Sequence, residues 1–461
     1  MKLAIIGGSD AGISAGLRAV EVGTDAEATL FVADAYPNFS ICGIPYHVSG
    51  QVPDWRSLAH RTRDDLERAG LRLRLEETVT AIDPSARTVT SRSAGGDPAV
   101  TPYDRLVIGT GAVPVRPPID GLDDLGTSDG VHVLHTMGDT FALTERLEQR
   151  LERGPARSAV IVGAGYIGME MAEALVERGL RVTVIEQLDQ VLPNTLDAEL
   201  AVPVGAVLTG QGVELVTGVA VKGVERYRDG LRLVTSNGRT HATDLLLVVT
   251  GVRPDTALAA DAGITLGVRG AIAVDVNMRT NLPGVYAAGD CVHTHHRLLA
   301  EPTYMPLGST AHKQGRVAGE NAAGGERAFA GVLGTQAVKV FDRVVAATGL
   351  RDGQARQAGY EPFTVETVAD DHKAYYPGAS PIRIRLTGDL DSGRLLGAQL
   401  VGMVGAEIAK RIDVLATGIH AGITVEDIND LDLSYTPPLG SPWDALQHSA
   451  QAWTRAAADR R

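Results

Sequence analysis

Cys42, in the segment FSICGIPY, is one of two cysteines in the chain, and its setting favours redox chemistry at sulfur. It follows an amino-terminal glycine turn and precedes a predicted helix start. Both a phosphate-binding turn and a helix amino terminus favour the thiolate, which is the reactive form of cysteine. An isolated cysteine is more often a small buried apolar residue, but this flanking pattern favours a reactive thiol. We therefore predict that Cys42 is redox-active.

A dinucleotide-binding pattern lies at residues 163–168, where GAGYIG follows the apolar strand AVIV and opens the helix MEMAEALVERG. Gly163, Gly165 and Gly168 permit a tight turn, so that backbone N–H groups can approach a pyrophosphate at the helix amino terminus. Glu186 ends the next predicted strand, where its carboxylate can accept both hydroxyls of an adenosine ribose and repel a 2′-phosphate. The pattern predicts NADH as the cofactor, with NADPH possible.

A less regular glycine motif occupies residues 7–12, where GGSDAG also follows an apolar strand. It contributes Gly7, Gly8 and Gly12, while Ser9 stands where the middle glycine usually lies and is small enough to leave room for the backbone to approach a phosphate. The acid expected after the second strand is Asp34. Two such motifs in one chain predict two bound nucleotides.

Two βαβ units, residues 3–34 and 159–186, must position these motifs, and their continuously apolar strands predict buried parallel sheets. Alternating β patterns and helical segments follow Gly325. We predict an α/β fold with two Rossmann-like (doubly wound) nucleotide-binding domains, one inserted in the other, plus a C-terminal α+β domain. The expected boundaries are 1–115 and 253–325 for the first nucleotide-binding domain, 116–252 for the second, and 330–461 for the C-terminal domain.

The bulk composition excludes several classes of partner. A net charge of -13 disfavours nucleic acids and anionic membranes, because phosphates would be repelled. The sequence shows neither a signal-peptide pattern nor an apolar run of about 18 residues, the length that a membrane span requires. Two cysteines provide no disulfide framework. We expect a cytoplasmic protein.

The chain resembles the single-cysteine class of the FAD-dependent pyridine nucleotide–disulfide oxidoreductases. That group holds coenzyme A disulfide reductases, persulfide reductases, and NADH oxidases and peroxidases. The resemblance covers essentially all 461 residues. It rests on FSICGIPY around Cys42, GTGAVP at 109–114, GAGYIGMEMAE at 163–173, TGVRPDT at 250–256, TNLPGVYAAGD at 280–290, EPTYMPLGSTAHKQGRVAGE at 301–320, and YTPP at 435–438.

The resemblance implies that residues 1–115 and 253–325 form an FAD-binding domain, 116–252 an NAD(P)H-binding domain and 330–461 a C-terminal α+β dimerisation domain. It also implies site residues by position. Those expected to hold FAD are Gly7, Gly8, Gly12, Asp34, Thr110, Gly111 and Asp290, with the turn at 307–310 near the flavin ring. Those expected to hold the nicotinamide cofactor are Gly163, Gly165, Gly168, Glu186 and Gly251, with Glu170 close to its carboxamide. Tyr375 and Tyr435 match tyrosines that face the cysteine of the neighbouring subunit. A phenol there could protonate a leaving thiolate, although ordinary interface packing also explains tyrosines at such a place.

Several positions depart from the family pattern. The second cysteine of CxxxxC relatives is His47 here, so Cys42 must work through a mixed disulfide, a persulfide or a sulfenic acid. Asp10 replaces the histidine of many oxidases and peroxidases, which makes peroxide chemistry less favourable. Glu21 and Trp443 replace two cations that contact coenzyme A phosphates, so coenzyme A itself is doubtful, although Arg18 could partly compensate.

These residues predict a homodimeric FAD enzyme that passes electrons from NAD(P)H through the flavin to Cys42 and reduces a small disulfide, persulfide or polysulfide. The alternatives are an NADH oxidase or peroxidase with a Cys42 sulfenic acid, a ferredoxin-type electron-transfer reductase, and a non-enzymatic flavoprotein. We predict no metal site. Cys291 is expected to be a buried structural thiol, and the histidines between residues 293 and 296 lack a metal-binding spacing.

Overall fold

The structure is a computed structural model that describes residues 1–23, 25–151 and 158–460. Helices in these residues are never both long enough and apolar enough to cross a membrane.

The first nucleotide-binding unit is built on a 5-stranded parallel sheet in the order β18-β7-β1-β2-β3, in which β18 (Val285–Ala287) comes from much later in the chain. Its amino-terminal elements are β1 (Lys2–Ile6), α1 (Asp10–Val22), β2 (Glu27–Phe31), α2 (Ile44–Ser49), α3 (Arg63–Arg68), β3 (Arg72–Arg74), β4 (Glu77–Asp83), β5 (Thr88–Ser93), β6 (Ala99–Pro102), β7 (Arg105–Ile108) and β8 (Ala112–Pro114). Strands β4, β5 and β6 form a separate antiparallel sheet. Both faces of the main sheet are covered, which is why its central strands are apolar throughout.

The second unit repeats this plan with a 5-stranded parallel sheet in the order β12-β11-β10-β16-β9. Its elements are β9 (Val131–His132), α4 (Met137–Leu151), β10 (Ser158–Val162), α5 (Tyr166–Glu177), β11 (Arg181–Ile185), α6 (Ala198–Gly210), β12 (Glu214–Val216), β13 (Val221–Tyr227), β14 (Gly230–Thr235), β15 (Thr240–Thr243) and β16 (Leu245–Val248). Strands β13, β14 and β15 form an antiparallel sheet beside it.

The chain then returns to the first unit through β17 (Val252–Pro254), α7 (Ala257–Asp261), β18 (Val285–Ala287) and α8 (Gly308–Ala322). Strand β17 pairs with β8 in an antiparallel ribbon, so the outgoing and returning connections lie side by side. Strand β18 pairs with β7. The second unit is therefore inserted in the first, as the sequence predicts.

The C-terminal unit is a 5-stranded antiparallel sheet in the order β19-β20-β23-β22-β21. Its elements are β19 (Gln336–Val340), β20 (Arg343–Gly349), α9 (Asp352–Gln357), β21 (Pro362–Asp370), β22 (Pro381–Asp389), β23 (Leu395–Met403), α10 (Ile408–Ala421) and α11 (Ala445–Ala458). Helices α10 and α11 pack on this sheet through a buried apolar core. The predicted fold class is thus confirmed, while the residue boundaries of the three domains stay a prediction.

Helices α1 and α8 cross at very short range. A Cβ atom on Gly315 would lie 2.2 Å from the Ala11 carbonyl oxygen, and one on Gly319 would lie 2.0 Å from that of Ala15. No side chain fits at either glycine, so the two backbones are in direct contact. This contact fixes α8 against the helix that carries the first glycine turn.

His132 in β9 is a buried polar residue whose ring nitrogens find no hydrogen-bond partner among the described residues. Burial, reinforced by the charge of Arg146, lowers the pKa of His132 to about 4. The unfolded chain binds a proton near the ordinary value of 6.5 while the folded chain does not. The free energy of unfolding therefore falls as the pH drops from about 6.5 towards 4.

We expect His132→Leu to remove part of this acid sensitivity, on the order of 2 kcal/mol between pH 7 and pH 5, at about 1.4 kcal/mol for each pKa unit. The measurement is the urea-unfolding free energy at pH 7 and pH 5, with His448→Leu, an exposed histidine on α11, as the control. Burial also lowers the pKa of His296 to about 4, so some sensitivity should remain. An unchanged pH dependence in His132→Leu would show that the buried ring is not its source.

Candidate active site

The two glycine turns have the same local geometry. Gly7 and Gly163 both adopt a φ of 111°, which side chains other than glycine rarely tolerate. A Cβ on Gly12 would lie 2.0 Å from the Gly7 carbonyl oxygen, and one on Gly168 would lie 2.1 Å from that of Gly163. Each helix therefore begins directly against the end of its strand, with its free N–H groups at the carboxyl edge of the sheet.

The middle position of each turn differs between the two units. A Cβ on Gly165 would meet no atom within 4 Å, so open space remains there for a phosphate. Ser9 occupies the equivalent position before α1, with an extended backbone like that of Gly165. A Cβ on Gly8 would lie 2.5 Å from a methyl carbon of Val32, so packing requires that glycine. Both turns fit the pyrophosphate of a dinucleotide.

The acids after the second strands are held differently. The Asp34 carboxylate accepts one hydrogen bond, from the Tyr36 backbone N–H at 2.8 Å, and its side chain is otherwise exposed. The buried Glu186 carboxylate accepts from the backbone N–H groups of Ala164 at 2.8 Å and Leu188 at 2.9 Å. Its charge is therefore fixed against the glycine turn, where a ribose 2′-phosphate would be repelled.

Three of the positions predicted to bind cofactors lie near the antiparallel ribbon of β8 and β17. Gly111 and Gly251 have positive φ values of 73° and 104°, and a Cβ on either would meet no atom within 4 Å. The Thr110 hydroxyl donates to the Asp255 carbonyl oxygen at 2.6 Å. That side chain therefore ties β8 to the returning chain, and its hydroxyl proton is not free for a cofactor.

Asp290 lies at the carboxyl end of β18, and no hydrogen bond to its carboxylate is found among the described residues. Burial raises the pKa of Asp290 to about 6, with a further contribution from the charge of Asp10. A desolvated carboxylate without a donor is costly unless a ligand provides one. The polyol chain of FAD carries hydroxyl donors, so this residue fits the cofactor that the sequence predicts.

Cys42 is exposed and lies in a 3-10 turn, Ile41–Gly43, immediately before α2. Although solvent reaches the residue, surrounding protein atoms partly desolvate its thiol and raise the pKa of that thiol. The negative charges of Glu170, Asp10 and Asp290 raise the pKa further. The expectation that the neighbouring turns favour a thiolate is therefore wrong for the chain alone. Desolvation and, after it, the three carboxylates raise the pKa of Cys42, while the charge effect of the short helix α2 is weak.

Glu170 on α5 is the strongest of these carboxylates in its effect on Cys42. Burial raises the pKa of Glu170 to about 7, so it can gain or lose a proton at neutral pH. The Tyr46 hydroxyl donates to Glu170 Oε1 at 3.5 Å. Sequence reasoning missed Tyr46, although its position four residues after Cys42 was a usable signal.

Asp10, the first residue of α1, lies beside His312 of α8. His312 Nε2 is 3.4 Å from Asp10 Oδ1, and His312 Nδ1 is 2.9 Å from the Ser14 hydroxyl. Burial raises the pKa of Asp10, and the charges of His312 and His60 oppose that shift. Neither histidine was singled out from the sequence, because residues 60 and 312 meet only through the fold.

The remaining residues that the sequence singled out are not among the groups that shift the pKa of Cys42. The rings of Tyr375 and Tyr435 are exposed. Desolvation raises the pKa of Tyr435, and a hydrogen bond between the two phenols raises it further. Neither tyrosine contributes to the shifted pKa of Cys42. His47 is held through Nδ1 by the Val52 carbonyl oxygen at 2.8 Å. Cys291 is buried, and its thiol donates to backbone carbonyl oxygens.

Comparison with known proteins agrees with this geometry. Residues 1–315 match the family described as pyridine nucleotide-disulphide oxidoreductase, and residues 335–445 match its dimerisation domain. An NAD(P)H sulfur oxidoreductase (CoA-dependent) from Pyrococcus furiosus is 35% identical over 96% of this chain and 97% of its own length. An NADH oxidase from Methanocaldococcus jannaschii is 32% identical over 98% of both chains.

Among solved structures, an NAD-dependent persulfide reductase from A. fulgidus superposes with a TM-score of 0.94 at 38% identity. The match covers 100% of this chain and 84% of that one. The chain therefore belongs to the pyridine nucleotide–disulphide oxidoreductase family, and it is an NAD(P)H-dependent flavoprotein oxidoreductase that uses FAD and carries the family's dimerisation domain.

Proposed function

We propose that this enzyme uses NADH and bound FAD to reduce a persulfide, a polysulfide or a small disulfide through Cys42. The main support for this proposal is the contrast between the two cysteines of the chain. Cys42 is exposed, whereas Cys291 is buried and hydrogen-bonded. Position 47 provides no second thiol. Cys42 must therefore form its covalent bond with a sulfur from outside the chain. The names of the sulfur and persulfide reductases among the relatives support this assignment.

The chemistry at Cys42 balances without a further reactant. When bound, FAD accepts a hydride from the nicotinamide and supplies two electrons. The Cys42 thiolate attacks the outer sulfur of a persulfide and forms a Cys42 persulfide, while the leaving thiolate takes up a proton. Two electrons and a proton then cleave that S–S bond, which regenerates the Cys42 thiolate and releases hydrosulfide. A disulfide substrate follows the same course through a mixed disulfide.

The cofactor contacts follow from the two turns. We assign the FAD pyrophosphate to the α1 amino terminus with Gly7, Gly8 and Gly12, its ribose to Asp34, and its polyol chain to Asp290. Thr110 and Gly111 contribute backbone at the same edge. The nicotinamide cofactor is assigned to Gly163, Gly165, Gly168 and Gly251, with its ribose at Glu186. Glu170 then lies between the nicotinamide site and Cys42, where its pKa of about 7 suits a proton donor.

The active site is proposed to be completed in a homodimer. Tyr375 and Tyr435 are 73% and 44% exposed in the single chain, beside Leu439 and Trp443, which are 75% and 51% exposed. Such a group of large exposed side chains is typical of an interface. A partner subunit would bring these phenols to Cys42, where they could protonate the leaving thiolate. We place the enzyme in the cytoplasm, a reducing compartment that suits a free catalytic thiol.

The substrate is proposed to be smaller than coenzyme A disulfide. Arg18, the cation that could replace the missing contacts to its phosphates, is paired with Glu21 at 2.8 Å and with Glu320 at 2.6 Å. Those carboxylates would have to be displaced before Arg18 could bind a phosphate. The exposed Trp443 offers an apolar surface where the family pattern has a cation.

An NADH oxidase is the second candidate, because several relatives carry that name. In such an enzyme Cys42 would cycle through a sulfenic acid. The Asp10 charge raises the pKa of Cys42 and would repel a sulfenate. A raised pKa harms peroxide attack, which needs the thiolate, more than it harms exchange with a disulfide or persulfide. This observation favours the sulfur reductase.

We expect Cys42→Ser to retain FAD and lose at least about 10³-fold in NADH-dependent persulfide and disulfide reduction, because the covalent relay is absent. Anaerobic NADH turnover against a panel of a small persulfide, a small disulfide and coenzyme A disulfide provides the measurement. Cys291→Ala is the matched control and should retain activity. If Cys42→Ser kept wild-type turnover, the relay would have to be elsewhere. A clear preference for coenzyme A disulfide would contradict the smaller substrate.

NADH should be preferred to NADPH, because Glu186 holds a negative charge against the second glycine turn. Glu186→Gln should narrow the ratio of kcat/KM values by about tenfold, which corresponds to about 1.4 kcal/mol. Glu186→Asp keeps the charge and should keep the preference. If Glu186→Gln kept the wild-type ratio of kcat/KM values for NADH and NADPH, another group would have to distinguish the two riboses.

Aerobic NADH consumption should be low without a sulfur acceptor and should rise strongly when a persulfide is added. Asp10→His should raise peroxide turnover, because a histidine can stabilise a sulfenate that Asp10 repels. Oxygen uptake and NADH oxidation, recorded with EDTA present, provide the measurement. Fast oxygen-dependent oxidation that ignores sulfur acceptors would favour the oxidase.

A further inference from the structure

Asp10, His60 and His312 form a group of metal-ligating side chains close to Cys42. One ligand atom from each residue lies within 4.8 Å of the others. Among the described residues, no other three histidine, cysteine, aspartate or glutamate side chains meet this closely. Two of its members are half-buried, and His60 is exposed. The mechanism proposed above uses neither histidine.

The nearest atoms of Asp10 and His312, Oδ1 and Nε2, are 3.4 Å apart. This distance makes an ion pair when His312 is protonated, and it is also a separation at which both atoms can ligate one ion. Two atoms at that separation, each about 2.0–2.1 Å from a zinc ion, subtend an angle of about 110° at the metal, as tetrahedral coordination requires.

The orientation of His312 suits a metal ligand. Its Nδ1 lies 2.9 Å from the Ser14 hydroxyl, which can accept the Nδ1 proton and leave the Nε2 lone pair directed at Asp10. A lone pair facing a carboxylate is repulsive unless a cation lies between them. The contact of Gly315 with Ala11 holds α8 against α1 one turn from His312, so this pair is rigidly placed.

His60 approaches from a third element. Its backbone N–H donates to the Asn38 carbonyl oxygen at 3.0 Å, which fixes the main chain, while its exposed ring is free to adjust. The centres of the His60 and His312 rings are 6.2 Å apart. A small rotamer change would bring the His60 ring to a shared ion. The fourth position would be open to water or a sulfur ligand, as in zinc sites with three protein ligands.

We propose that Asp10, His60 and His312 bind a divalent transition-metal ion of the zinc class at the junction of α1 and α8. One carboxylate and two imidazoles match the ligands that zinc takes in proteins. The nearby carboxylate of Asp290 adds to the negative potential that attracts a cation. The proposal rests on the placement of these three side chains by the packing of α1 and α8.

The test is a Zn²⁺ titration of the FAD-loaded protein by calorimetry after EDTA treatment and dialysis. A Co²⁺ titration should give tetrahedral bands at wavelengths beyond the flavin absorption. We expect one ion per subunit. Asp10→Asn and His312→Gln should abolish binding, and His60→Gln should weaken it by at least the ~10–100-fold that loss of an outer-shell partner costs. Retained FAD absorbance in each variant shows that the fold is intact.

Two controls distinguish the three-residue site from a metal held by the thiol. His420→Gln removes an exposed histidine on α10 and should leave binding unchanged, and Cys42→Ser should also bind the ion. Binding that disappears in Cys42→Ser but persists in His312→Gln would place the metal on the thiol. No stoichiometric binding by the wild type would show an Asp10–His312 ion pair only. Either result overturns the proposal.

Discussion

Close contact between backbones, permitted by glycine, is the constraint on which this structure depends. A Cβ on Gly12 would lie 2.0 Å from the carbonyl oxygen of Gly7, the first residue of its turn, and a Cβ on Gly168 would lie 2.1 Å from that of Gly163. Gly315 and Gly319 permit a similarly close contact between α8 and α1. Since a methyl group at any of these positions would separate the elements, each glycine turn is rigidly placed at the carboxyl edge of its own sheet, and α8 is rigidly placed against α1.

Negative charge dominates the surroundings of the reactive sulfur. Glu170, Asp10 and Asp290 all raise the pKa of Cys42, and burial raises the pKa values of these carboxyl groups as well. The thiolate fraction therefore grows with increasing pH, and the raised pKa of Cys42 slows peroxide attack more than it slows exchange with a disulfide or persulfide. The same concentration of carboxylates makes a bound cation beside Asp10 electrostatically favourable. The substrate preference and the proposed metal site thus have a common physical origin.

The sequence predicted the elements whose signals are local. The parallel strands β1, β10 and β16 are uninterrupted apolar runs, and the glycine turns have a fixed spacing, so the fold class and both nucleotide-binding units could be derived. The antiparallel sheets β4–β6 and β13–β15 were not singled out, because short half-exposed strands carry a weak pattern. The thiolate expectation for Cys42 failed because its carboxylate neighbours come from α1, α5 and the end of β18. His60 and His312 were missed for the same reason, since only tertiary packing brings them to Asp10.

The central claim is that Cys42 accepts sulfur covalently and returns it as hydrosulfide. Intact-protein mass spectrometry tests this directly on enzyme whose Cys42 has been reduced with a removable thiol and whose flavin is oxidised, mixed under anaerobic conditions with one equivalent of a small persulfide. The account predicts that each subunit gains the mass of one sulfur atom, that peptide mapping places it on Cys42, and that added NADH removes it. A subunit that gains no sulfur at Cys42, or that keeps the sulfur when NADH is added, would contradict the account.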